Sequence, residues 1–178
     1  MKATRLILAA MVFGIAGASQ ANAQCSGNAG SCNTTNTASV SIGALVKLTM
    51  SSPTTALTAP TADDLDLGIV IPNAGPTFTI KANRSWTLKI KSQNATDWTY
   101  SGLSSGVKPI SHLAWSTAVG GTFLAITGSD ATFASSASAS NGTAAAAFFR
   151  TTWLGDFADP SNREGTYSLP IVFTLTAP

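Results

Sequence analysis

The chain has 178 residues, of which 44% are hydrophobic and only 10% charged, and a formal net charge of +2. That is the length of one ordinary domain plus a short extension. So weak a charge excludes the basic footprint that nucleic-acid binding requires. No uninterrupted apolar run of about 18 residues marks a membrane-spanning helix.

Residues 1–23 have the layout of a secretory leader. Lys2 and Arg5 give a positive start, Leu6–Ala18 is apolar, and Ala21-Asn22-Ala23 places small residues at a cleavage site before Gln24. Removal of this leader takes Lys2 and Arg5 with it and leaves eight basic against eight acidic residues. The expected address is therefore extracellular, periplasmic or at the cell surface. Asn22-Ala23-Gln24 before Cys25 lacks a lipoprotein signature. Cys25 and Cys32 are the only cysteines. In an oxidising compartment they are expected to close one small disulfide loop in a polar lead-in, residues 24–39. A single domain is expected over residues 40–178.

The mature sequence is rich in Ser, Thr and β-branched residues, a composition that favours strands. Val40, Ile42, Ala44, Val46, Leu48 and Met50 recur at every second position, so Val40–Met50 reads as a half-buried strand. Residues 51–64 read as a loop. Leu65–Ile71 reads as a short strand ended by the turn signal Pro72-Asn73-Ala74-Gly75-Pro76. Phe78, Ile80 and Ala82 alternate with polar residues, as do Trp86, Leu88 and Ile90. These two runs read as neighbouring antiparallel strands joined at Asn83-Arg84.

Asp97–Ser101 reads as another short strand, and Gly120-Gly121 joins Leu113–Thr117 to Thr122–Thr127 as a hairpin. The alanine run Ala144–Ala147 is compatible with a helical turn or with a strand leading into Phe148-Phe149. Thr151–Phe157 carries Trp153, and Asp159–Gly165 is a polar turn. Tyr167, Leu169, Ile171, Phe173 and Leu175 then alternate in the last strand. Pro170 cannot donate a ladder hydrogen bond, which places that strand at an edge or gives it a bulge. About eight or nine short strands and no clear helix predict an all-β, antiparallel β-sandwich.

The residues offer little catalytic chemistry. Gly102-Leu103-Ser104-Ser105-Gly106 has the spacing of a nucleophile elbow, but Pro109 follows closely and no helix pattern appears. The single histidine, His112, comes eight residues after Ser104, which leaves little room for a third triad member. Asp63, Asp64 and Asp66 form one acidic cluster, and Asp156, Asp159, Asn162 and Glu164 a looser one. Neither has the spacing of a calcium loop, and both sit beside turns, where such residues are expected anyway. No cofactor, metal or enzymatic activity is expected. Trp86 and Trp153 fall on apolar-alternating runs and read as core. Trp98 and Trp115 are the candidates for stacking on a glycan or cell-wall ligand. Asn33, Asn83, Asn94 and Asn141 each open an Asn-x-Ser/Thr triplet, which a Ser/Thr-rich chain produces by chance.

Gly165-Thr166-Tyr167, followed by the alternating run to Leu175, resembles the closing strand of bacterial secreted surface β-sandwiches. Pilins and spore-coat-protein-U-like proteins share that Gly-x-Tyr ending, and a mature start close to a cysteine resembles Gln24-Cys25. Trp86-Thr87-Leu88 is similar to the first motif of WxL-type cell-wall domains. The terminal strand stands where the second motif would be, with Phe173 in place of its tryptophan. These resemblances imply an immunoglobulin-like sandwich acting as a non-enzymatic structural or adhesive surface protein, pilin-like in its assembly. The alternative is an extracellular carbohydrate- or cell-wall-binding module. Self-assembly would run by strand addition. The segments that would exchange are Val40, Ile42, Val46 and Leu48 at one end, and Tyr167, Leu169, Ile171 and Phe173 at the other.

Overall fold

Trp86, Leu88, Ile90 and Ser92 are buried while Thr87, Lys89 and Lys91 between them are only half-buried. Phe78, Ile80 and Ala82 are buried, with exposed Thr79 and Lys81 between them and exposed Thr77 before them. Period-two alternation has therefore become two strands with one inward face each. The computed structural model describes residues 34–178; the leader, Cys25, Cys32 and Asn33 lie outside the described residues. Residues 34–45 are exposed and without regular structure, and every regular element falls within the compact unit Ile42–Pro178.

The described strands are β1 (Val46–Met50), β2 (Val70–Ala82), β3 (Trp86–Ser92), β4 (Thr99–Ser101) and β5 (Leu113–Ser116), then β6 (Leu124–Ala125), β7 (Ala131–Ser136), β8 (Ser140–Thr152), β9 (Thr166–Ser168) and β10 (Ile171–Thr176). All pair antiparallel, in a large sheet ordered β1-β2-β8-β5-β6, a small sheet β10-β3-β7, and a ribbon β4-β9. The two main sheets face each other through aromatic rings. Phe78 of β2 lies 4.5 Å from Phe173 of β10 and 5.6 Å from Phe133 of β7. Trp115 of β5 lies 5.5 Å from Phe133. The protein is thus the expected all-β sandwich. Each fully buried Phe, Ile or Leu contributes roughly 1.5–3 kcal/mol of hydrophobic stabilisation.

The alanine run belongs to β8, where Ala145 stands opposite Phe78 and leaves room for the aromatic cluster. The predicted hairpin is present as β5 and β6. Several local expectations changed. β1 begins at Val46 rather than Val40, because its partner β2 ends at Ala82, opposite Val46. There the chain turns, and Asn83 closes it by accepting from Leu45 N at 2.8 Å and donating to Gly43 O at 2.8 Å.

Ala62–Leu67 is a helix, α1, instead of the start of a strand. Thr61 caps it, accepting from Asp64 N, while the Asp64 carboxylate accepts from Thr61 N, a reciprocal capping box. Pro72 and Pro76 lie inside β2 rather than in a turn. Both fall outside the 78–82 stretch paired with β1, so no ladder partner on that side needs their missing N–H, and a bulge separates Ala74 from Thr77. Gly75 is required there: a Cβ would stand 2.5 Å from the Phe149 ring.

β2 and β3 are not neighbours. The short turn after Ala82 carries the chain from the large sheet to the small one. The terminal strand is split at Leu169-Pro170 into β9, paired with β4, and β10, the edge of the small sheet. Tyr167, Leu169, Ile171, Phe173 and Leu175 nevertheless all pack against the core, as their alternation predicts.

Candidate functional site

Antiparallel partners point to the same side of a sheet. Val46, Leu48 and Met50 of β1 stand opposite Ala82, Ile80 and Phe78, which are 6%, 0% and 2% exposed. All three β1 residues therefore belong to the inner face of the sandwich. Yet Val46 remains 46% and Met50 40% exposed, and only Leu48 packs on the core. Among the described residues the small sheet borders β1 but leaves Val46 and Met50 largely uncovered. On that sheet Ile171, Phe173 and Leu175 of β10 stand opposite Ser92, Ile90 and Leu88, again the inner face. They are half-buried where their β3 partners are buried. β1 and β10 border one another on one flank, and among the described residues each pairs along one edge only. That flank is a strip of inner-face apolar side chains with unpaired backbone on either side.

Beside it, at one end of the sandwich, lies an open cleft of roughly 750 Å³. Residues 54–60, which follow β1, form one wall, and residues 162–169, which precede β10, form the other. Its floor is built from Trp98, Lys108, Thr151 and Trp153. Lys108 is 1% exposed; its ammonium donates to Thr152 O at 2.8 Å and lies 3.8 Å from the centre of the Trp153 ring. Burial lowers its pKa from 10.5 to about 8, against the opposing pull of Asp159. Burial, and then the Lys108 charge, lower the pKa of His112. Asp159 is held below the usual carboxylate range by hydrogen bonds from Ser161.

The cleft's outer wall is rigid. The single Tyr167 hydroxyl proton is shared between Pro160 O and Arg163 O, at 3.2 and 3.1 Å. These bonds tie the ring back to the backbone four and seven residues upstream, as the tyrosine corner of immunoglobulin sandwiches does. The Tyr100 ring lies 4.9 Å from that of Tyr167, and its hydroxyl donates to Glu164 O at 2.6 Å. Burial, followed by the neighbouring Tyr100, raises the Tyr167 pKa. Gly165, at φ +150°, lies so close to Tyr100 that a Cβ would stand 2.6 Å from its ring.

No protein-family model and no curated protein matches the chain. One solved structure, of a chaperone-usher pilus, is similar. It covers 81% of this chain and 94% of its own, at 12% identity and a TM-score of 0.48. That likeness assigns no residue a role.

The residues singled out from the sequence are distributed unevenly. Trp115 is 5% exposed between the sheets, so it offers no stacking face. Trp98 is also buried, at 8%, with its indole N–H donating to Pro109 O, but its edge reaches the cleft floor. Trp153, read as core, is instead half-buried in that floor. Ser104 lies in an exposed loop, and His112 is half-buried with its Nδ1 lacking a partner, so the two do not form a catalytic pair. Asp63 and Asp64 serve the start of α1, Asp159 caps a 3₁₀ turn, and Asn162 donates to Leu154 O and Asp156 O. Among the described residues no three His, Cys, Asp or Glu side chains gather to hold a metal. Val40 and Ile42 are 87% and 71% exposed and lie outside β1. Sequence reasoning missed Lys108, whose only signal is a lone lysine between Val107 and Pro109.

Proposed function

We propose that this is a secreted, non-enzymatic structural subunit of a cell surface, pilin-like in that copies join by strand addition. The observation that carries the reading is the uncovered inner face at β1, where Val46 and Met50 stay exposed opposite buried Ala82 and Phe78. A strand laid on this flank would cover those side chains and take up free backbone groups of β1 or β10. The donor is the N-terminal arm of a second copy. Its residues 34–45 are exposed and present Val40, Ile42 and Ala44 at every second position. Val46–Met50 itself is paired with β2, so the donor ends before it. The leader and the resemblance of Gly165–Leu175 to secreted surface sandwiches support the same address.

The test is a peptide spanning residues 34–45, titrated into the purified protein. Saturable binding is expected, with at least a tenfold loss for the peptide carrying Ile42→Asp and for protein carrying Val46→Asp. The full secreted chain should form higher oligomers by light scattering, and Ile42→Asp should hold it monomeric. A chain that stays monomeric at all concentrations and ignores the peptide would refute the reading.

A further inference from the structure

The cleft beside the flank holds an uncompensated set of hydrogen-bonding groups. Lys108 is 1% exposed, and its ammonium makes one hydrogen bond, to Thr152 O. Among the described residues, ion pairs form only at Lys89 and Lys91, so Asp159 pulls on the Lys108 charge without forming an ion pair with it. Thr151 is 2% exposed, and its hydroxyl has no partner. The indole N–H of Trp153 is likewise buried without a partner. Buried polar groups in native proteins are almost always satisfied, so each exception calls for an explanation. Among the described residues, two of the four buried side-chain groups without a partner, the Thr151 hydroxyl and the Trp153 indole N–H, sit with Lys108 on residues that line one cleft, whereas Trp86 Nε1 and His112 Nδ1 do not line it.

The set is rich in donors. The ammonium keeps two free N–H bonds, the indole has one and accepts nothing, and the hydroxyl can do either. The complement is an acceptor, and one buried cation calls for one negative charge. A carboxylate meets both needs. The rest of the cleft describes the body that carries it. Trp153 and Tyr167 give apolar surface, Thr54, Thr55, Thr166 and Ser168 give a rim of hydroxyls, and exposed Arg163 and Glu164 add one charge of each sign to the wall, with no net charge between them. A volume of roughly 750 Å³ falls within the usual ligand-site range. Apolar ring faces, many hydroxyls and a single carboxylate are the chemistry of a uronic-acid sugar. We infer that this cleft binds an acidic saccharide, with its carboxylate against Lys108 and its sugar ring against the aromatic wall. The site is independent of strand addition, which uses β1 and β10.

The test compares digalacturonate with its dimethyl ester, which has the same rings and no charge, by calorimetric titration of the purified protein. Digalacturonate is expected to bind at least tenfold more tightly than the ester. Lys108→Met, of similar volume, should bring the acid down to the ester's level. Thr166→Trp, an exposed wall position, should weaken both. A melting curve shows that each variant is folded, and Thr166→Trp alone suffices to locate the site if Lys108→Met does not fold. Four results would overturn the assignment: no binding at millimolar sugar, equal binding of acid and ester, a charge preference that survives Lys108→Met, or phenylacetate binding as tightly as digalacturonate.

Discussion

Titrating Lys108 should reveal itself as an unusual gain of stability at alkaline pH. Its folded-state pKa is about 8, against 10.5 for the free side chain. The unfolded chain therefore holds the proton more tightly than the folded one, and stability rises with pH between those two values. Below pH 8 the cost of the buried charge is fully present; above about 10.5 it is gone. The two pKa values predict a gain of about 2 kcal/mol between pH 7 and 9.5. Solvent screening in the open cleft reduces this to about 1–2 kcal/mol. For a domain of this size that is about 3–6 °C in Tm.

Tyr167 works in the opposite direction, because its folded pKa is raised, but only as pH passes the ordinary tyrosine value near 10. The measurement should therefore stop at pH 9.5. The assay is urea unfolding of the wild type and Lys108→Met at half-unit steps. The wild-type curve should climb toward that of the variant, so the gap between them closes by about 1–2 kcal/mol. A gap that stays constant across this window would refute the claim that Lys108 is charged, buried and outside any ion pair.

Other substitutions probe the fold more simply. Gly75→Ala should cost about 1–3 kcal/mol in urea unfolding, since its Cβ would stand 2.5 Å from Phe149 and 2.9 Å from Ala147 O. Thr61→Ala removes the reciprocal cap of α1 and should cost about 1 kcal/mol, visible as a lower urea midpoint. Tyr167→Phe leaves the ring in place but removes the bonds to Pro160 O and Arg163 O, so a loss of about 1–3 kcal/mol is expected. His112 has a lowered folded pKa, so the folded state resists its protonation. Stability should fall as pH drops below about 6.5, and His112→Gln should remove that part of the acid sensitivity in a pH series of melting curves.

The sequence exposed whatever depends on one face of one strand. Phe78–Ala82, Trp86–Ile90 and Tyr167–Leu175 each alternate because each strand has one inward side, and period two survives without knowledge of the partner. It does not say which sheet a strand joins, so β2 and β3 looked like neighbours although they lie in opposite sheets. Leu65, Leu67, Ile69 and Ile71 also alternate, yet the Thr61–Asp64 cap settled the first of these into a helix. The proline pair of β2 resembled a turn because local signals do not reveal a free ladder edge. The cleft was invisible for a different reason. Its parts come from residues 54–60, 98, 108, 151–153 and 162–169, and only the fold brings them together. Trp98 and Trp115, chosen for their chemistry alone, proved to be buried for the same reason.

The open flank follows from a mismatch in strand number rather than from any special residue. Five strands in one sheet face three in the other. The small sheet covers β2 and β5 through Phe173 and Phe133, which meet Phe78 and Trp115. Its edge strand β10 borders β1, and Leu48 packs on the core, yet Val46 and Met50 stay 46% and 40% exposed. One more strand beside β10 would equalise this flank. It would cover β1, extend the small sheet by main-chain hydrogen bonds, and complete the burial of Ile171, Phe173 and Leu175. The same reasoning explains why polar substitution at Val46 is a sharp test. Its side chain makes little contribution to the isolated fold, being nearly half exposed, so Val46→Asp should leave the urea midpoint within about 0.5 kcal/mol of wild type. If the flank is a docking groove, the same change places a charge beneath the incoming strand and abolishes association. Loss of assembly with stability intact separates a groove from a mere gap in packing; loss of both, or of neither, would leave the uncovered face without a partner.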